Sequence, residues 1–209
     1  MKYRNVIAAL VGVWFTFAVA AGALGVFKNV TDSLALPVAV AALAPIAVFL
    51  FWFTASGGFR QYLHSLNPRT LTLAHAWRVN GVVFLILSAY GLLPLPFALP
   101  AGLGDMAIGA TASWIASRFA NPDHKSAFVL WQILGIADLV IAVTIGTTVR
   151  LFDPSGPAMG PMAVLPLSLV PTFFVPLFLI FHIVSIAQAR RWQGRSYSHL
   201  GEQAPSAAR

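Results

Sequence analysis

Seven polar residues fall inside long apolar stretches of this chain, and they are the groups placed to do chemistry there. His75, Arg78 and Asn80 lie in one stretch, Asp105 in the next, Gln132 and Asp138 in a third and His182 in the last. An ionisable side chain in a hydrocarbon layer is costly, so it faces a protein interior or a cavity and marks a candidate site. Depth can be counted from the nearest flanking basic residue at ~1.5 Å of rise per residue. On that count His75, Gln132 and His182 lie roughly 9 to 12 Å deep, Arg78 and Asn80 about 14 to 17 Å, and Asp105 and Asp138 about 20 Å. Polar groups from four different helices thus share overlapping depths.

The leading expectation is a polar path for transport or conduction of a proton, an ion or a small solute. Asp138 is too short to reach the headgroups, so it requires a proton, a partner such as Arg78 or His182, or nearby water. Asp138 would bind the transported species, with Arg78 and His182 setting its charge state and His75 facing the exit. Histidine suits a relay because its ordinary pKa lies near neutrality. Asp105 would complete an acidic pair with Asp138. The alternative is a b-type haem cytochrome with His75 and His182 as axial ligands at matching depth and Arg78 on a propionate. A further alternative is a structural or assembly subunit of a membrane complex. Haem apart, no cofactor is expected.

Each residue also has a plainer role. His75 can bond a backbone carbonyl, Arg78 can extend toward the headgroups along its apolar stem, and Asn80 and Gln132 can tie helices together. Asp105 can be a structural acid of the outer vestibule. Enzymatic chemistry has no clear anchor. The chain has no cysteine, which removes disulfides, thiolate metal sites and cysteine nucleophiles. It also lacks a His-Glu-x-x-His motif, a Gly-x-Ser-x-Gly elbow and a phosphate loop.

The elements that must position these residues are helices in a bilayer. Of 209 residues 58% are hydrophobic and only 9% charged, and the mean hydropathy is +0.80. A soluble domain carries about 25% charged residues. Six apolar runs, 6–27, 34–53, 71–93, 101–119, 126–149 and 163–189, approach or exceed the ~20 residues that cross a membrane. The expectation is an all-α integral membrane protein, a six-helix bundle over 1–192 with a flexible cytoplasmic tail over 193–209. Eleven of the 13 Lys and Arg residues would then lie on one side, leaving Lys28 and Arg150 opposite. That asymmetry places both termini in the cytoplasm, in what is expected to be a bacterial inner membrane. The net charge of +7 is a topology signal, so no nucleic-acid partner is expected. The partners expected are the lipid bilayer, the transported species and a second copy or a membrane complex. Ala18-Val19-Ala20 resembles a cleavage site, but the apolar run continues to Phe27, so a retained first helix is expected.

Local features refine the picture. Asn67-Pro68 reads as a helix cap followed by proline at the first helical position. Residues 57–66, with Arg60, Tyr62 and His64, read as a short interfacial loop or helix beneath the aromatic group Phe49, Phe51, Trp52 and Phe53. The run 101–119 is nearly all small residues, which suits a central helix closely approached by its neighbours. Asn121-Pro122 should end it, with Asp123 capping the next helix. Pro94, Pro96 and Pro100 are expected to keep 94–100 non-helical, as an external or re-entrant loop. Pro166, Pro171 and Pro176 should kink or break the last helix, whose spanning part then begins at Pro171.

Overall fold

The computed structural model describes residues 2–28 and 36–192; the expected tail over 193–209 lies outside them. Helix α1 covers Lys2–Ala23, α2 Leu36–Ala55 and the short α3 Gly57–Ser65. Next come α4, Pro68–Ala74, a 3-10 segment, His75–Gly81, and α5, Val82–Ala89, which run on without a break. Then follow α6, Leu95–Arg118, and α7, Lys125–Phe152. A π-helical turn, Val170–Phe174, leads into α8, Val175–Arg190.

Among the described residues, five helical stretches are long and apolar enough to cross a membrane: Tyr3–Ala23, Pro37–Ala55, Pro68–Ala89, Pro122–Val149 and Val170–Arg190. The protein is therefore a polytopic all-α membrane protein with five such helices, and the expected six-span bundle is corrected. The discrepancy lies in α6. Its 24 residues suffice in length, but glycines, alanines, hydroxyl residues and Asp105 replace the large apolar side chains that the other five carry. Placing both termini on one side required an even number of spans, so that expectation falls with the sixth.

Helix α6 buries one face in the bundle and leaves the other, with Leu95, Leu99, Leu103 and Trp114, exposed. It packs against α4, the 3-10 segment, α5 and α7, and Ala98, Ala101 and Ala112 are at most 1% exposed. Its glycines set the separation from the 3-10 segment. A Cβ on Gly102 would stand 3.1 Å from the Gly81 carbonyl, and one on Gly109 would collide with the backbone of Val79. Backbone-to-backbone approach of this kind is what small residues allow between membrane helices.

The proline-rich entry to α6 is helical, contrary to the expected loop over 94–100. Pro94 occupies the cap position and Pro96 the first turn, where a missing N–H costs no intrahelical bond. Only Pro100 sits in the helix interior. The final helix starts late, as its prolines suggested. Pro171 falls in the π turn and Pro176 in the first turn of α8, while 165–168 form turns.

Other local expectations can be compared directly. Asn67 Oδ1 accepts from the Arg69 N–H at 2.9 Å, with Pro68 opening α4. Residues 57–65 form α3, held to α8 by Gln188 Nε2, which donates to the carbonyls of Leu63 and Leu66 at 2.7 and 2.9 Å. Asn121 caps a 3-10 turn, Pro122–His124, and α7 has no side-chain cap, so Asp123 does not serve as one.

Candidate functional site

The 3-10 segment decides which side chains of the third span turn inward. At 3.0 residues per turn, positions three apart eclipse, and His75, Arg78 and Gly81 form a buried row. Asn80 falls off the row; it is exposed and its Nδ2 donates to the Trp77 carbonyl at 2.8 Å. The row faces α6, α7 and α8. Helix α7 presents the buried residues Phe128, Trp131, Gln132, Gly135 and Leu139 with Asp138 among them, the i, i+3, i+4 stripe of a helix face turned to a core. From α8 come Phe178, His182, Ser185 and Ala189 at the same spacing.

Arg78 is the hub. Its side chain is 1% exposed and joins two carboxylates that are 18% and 15% exposed. Nε donates to Asp105 Oδ1 at 2.6 Å and Nη2 to Asp138 Oδ2. Nη1 reaches the Gly135 carbonyl at 3.4 Å and His182 Nε2 at 3.2 Å. The planar fork of a guanidinium suits such a multi-sided role, which a lysine ammonium fills poorly.

The hydrogen bonds beyond Arg78 have one polarity. A guanidinium only donates, so His182 Nε2 accepts and its Nδ1 carries the proton. Nδ1 then donates to Gln132 Oε1 at 2.5 Å. The amide of Gln132 in turn donates from Nε2 to Thr72 Oγ1 at 3.3 Å. Thr72 donates to the Pro68 carbonyl at 2.8 Å. Every link from the guanidinium to the first residue of α4 thus has an assigned donor and acceptor, and His182 is neutral in this arrangement.

His75 is different. It is 0% exposed, and neither ring nitrogen has a hydrogen-bond partner. The ring lies over His182, with centroids 3.9 Å apart and planes 22° from parallel. Trp131, Phe178 and Phe181 pack around it at 5.7, 5.2 and 6.3 Å. Glycines provide the space for the whole cluster. A Cβ on Gly135 would overlap the His182 ring, and a Cβ on Gly104 would overlap the Asp138 carboxylate.

Of the seven residues singled out by sequence, the fold therefore brings together His75, Arg78, Asp105, Gln132, Asp138 and His182, and leaves Asn80 outside. Thr72 and Gly135 join them without having been singled out. A signal for both exists in the spacing, since 72, 75 and 78 on one span and 132, 135 and 138 on another recur every three residues. Arg78 is occupied by the two carboxylates, so the propionate role imagined for it would compete with them.

Residues 33–190 match the model of a family described as a domain of unknown function, DUF8737. The chain belongs to this family. The whole site, from Thr72 to His182, falls within the matched residues. No curated protein and no solved structure matches the chain.

Proposed function

We propose that His75 and His182 together bind a metal centre within the membrane, with haem iron as the group the pair is suited to hold. One observation carries this reading: His75 is fully buried with no partner on either nitrogen. Each buried polar atom left unsatisfied costs about 1–3 kcal/mol, and a ligated imidazole nitrogen has no such deficit. The ligand count favours haem over a bare ion. The described residues hold no group of three or more His, Cys, Asp or Glu able to take a metal ion. His75 and His182 would be the residues to hold a haem iron, which takes histidine nitrogens as protein ligands.

The stacked rings present their faces to one another at 3.9 Å, so holding haem would require both rings to turn their nitrogens inward and to separate far enough to admit the porphyrin. His75 has no hydrogen bond to break in doing so. His182 gives up the Arg78 Nη1 contact at Nε2, while Arg78 retains Asp105 and Asp138 through Nε and Nη2. The test is the visible spectrum and metal content of the purified protein. A Soret band with sharp reduced α and β bands is expected, lost in both His75→Ala and His182→Ala. Protein that stays colourless after haem addition, with no bound transition metal, removes the reading.

A second reading, transfer of a proton or cation, draws on the charge count. Two carboxylates share one guanidinium, so the fully ionised cluster carries a formal charge of −1, which a proton or a cation would balance. A low-dielectric site favours such balancing. In proteoliposomes, Asp138→Asn should abolish a proton or cation flux that the wild type supports. A flux unchanged by that substitution sets this reading aside.

A further inference from the structure

A second cluster lies toward the C-terminal end of α8. Helix α3 lies beneath the end of α2 and against α8, and the seam encloses a groove of about 510 Å³ lined by Phe53, Arg60, His64, Ile183, Ile186, Ala187, Arg190 and Arg191. Its lining is part cationic and part apolar. Both ion pairs among the described residues belong to Arg78, so no described carboxylate neutralises these three arginines. Arg60 uses Nη1 to cap α2, donating to the carbonyls of Phe53 and Thr54 at 3.1 and 2.7 Å. Its other guanidinium nitrogens make no hydrogen bond among the described residues. His64 Nδ1 is buried without a partner. The field there is positive enough to register on His64, whose pKa is lowered by burial and then by Arg191 and Arg60.

We propose that this groove binds an anionic phospholipid, its headgroup phosphate held by Arg60, Arg190 and Arg191 and an acyl chain laid along Ile183, Ile186 and Phe53. Charge complementarity selects the headgroup, because a guanidinium pairs with phosphate through parallel N–H···O bonds. Location selects a lipid as the source. The apolar wall is continuous with the outer faces of α2 and α8, and basic pockets between membrane helices recurrently take such headgroups. A bound lipid would also tie the interfacial helix α3 to α8, reinforcing the Gln188 clamp on Leu63 and Leu66.

Native mass spectrometry of the full chain tests the proposal. Micelles containing equal phosphatidylglycerol and phosphatidylcholine supply the lipids. The wild type should retain one phosphatidylglycerol in preference to phosphatidylcholine. Arg190→Gln with Arg191→Gln should weaken that retention on the order of thirtyfold, from the attraction each basic residue near a membrane surface contributes. That pair leaves the Arg60 cap intact, and its unfolding temperature in phosphatidylcholine alone reports folding. Ala187→Trp, which fills the groove without altering charge, should weaken retention as well, and keeps the test decisive if the arginine pair misfolds. Arg118→Gln, exposed and away from the groove, should retain lipid as the wild type does. Absence of headgroup preference, or retention unchanged in the arginine pair and in Ala187→Trp, overturns the proposal. So does millimolar inorganic phosphate that binds in phosphatidylcholine micelles and displaces phosphatidylglycerol, since the occupant would then be free phosphate.

Discussion

Replacing Arg78 with methionine is the most severe single change the site offers. The side chain is 1% exposed and serves Asp105, Asp138, His182 and the Gly135 carbonyl at once. Methionine restores most of the volume and none of the donors. Removing one partner from a buried ion pair costs about 3–5 kcal/mol, chiefly because the other charge is left uncompensated. Both carboxylates here keep 15–18% exposure, so the lower end applies, about 3 kcal/mol. For a chain of 150–250 residues, each kcal/mol lowers the unfolding temperature by roughly 2–4 °C. The expected loss is therefore about 6–12 °C, read by intrinsic fluorescence in detergent. Arg78→Met combined with Asp105→Asn and Asp138→Asn should recover much of it, because carboxamides need no counter-charge. An Arg78→Met protein within about 1 °C of wild type refutes the hub assignment, since a buried cation with four partners cannot be removed at so little cost. Failure of the triple variant to recover refutes the assigned cause, uncompensated carboxylate charge.

Three further outcomes are expected. Gly135→Ala puts a methyl into the His182 ring position, so thermal unfolding should show overpacking worth about 1–3 kcal/mol. Trp131→Phe loses the indole hydrogen bond to Thr111 Oγ1, 3.0 Å long, and should cost on the order of 1 kcal/mol by the same assay. His64 should titrate below its ordinary 6.5, since burial, Arg191 and Arg60 all disfavour its charged form. A folded-state value below the unfolded one means its contribution to stability is complete above pH 6.5 and declines as pH falls through the folded value. NMR titration of the ring protons in zwitterionic micelles measures this, and a midpoint above 6.5 contradicts it.

The membrane class was legible because composition alone forbids a water-facing surface. The convergence of most of the site was legible as well, because buried polar groups in apolar helices must meet one another. His75 and His182 were matched by depth and do lie together, and Arg78 and Asp138 were paired by charge. What depth cannot convey is azimuth. The i+5 relation of His75 and Asn80 leaves open whether Asn80 points inward, and only the 3-10 winding of 75–81 turns it out while aligning 75 with 78. The span count failed at α6 for a related reason. Small residues read equally as a membrane span or as a close-packed helix, and the neighbours that cover the buried face of α6 are not written in its own sequence. The proline run before α6 misled because proline is tolerated in a first helical turn as readily as in a loop.

The central claim is that the buried imidazole pair ligates a metal centre. Its most direct test is the dithionite-reduced minus oxidised absorption spectrum of wild-type protein, with His75→Ala and His182→Ala beside it. The account predicts one haem per chain with a sharp reduced α band in the wild type, and its loss in each variant, because both imidazoles would be needed to hold the iron. A flat difference spectrum in haem-replete wild type, or a band that survives both substitutions, would contradict it.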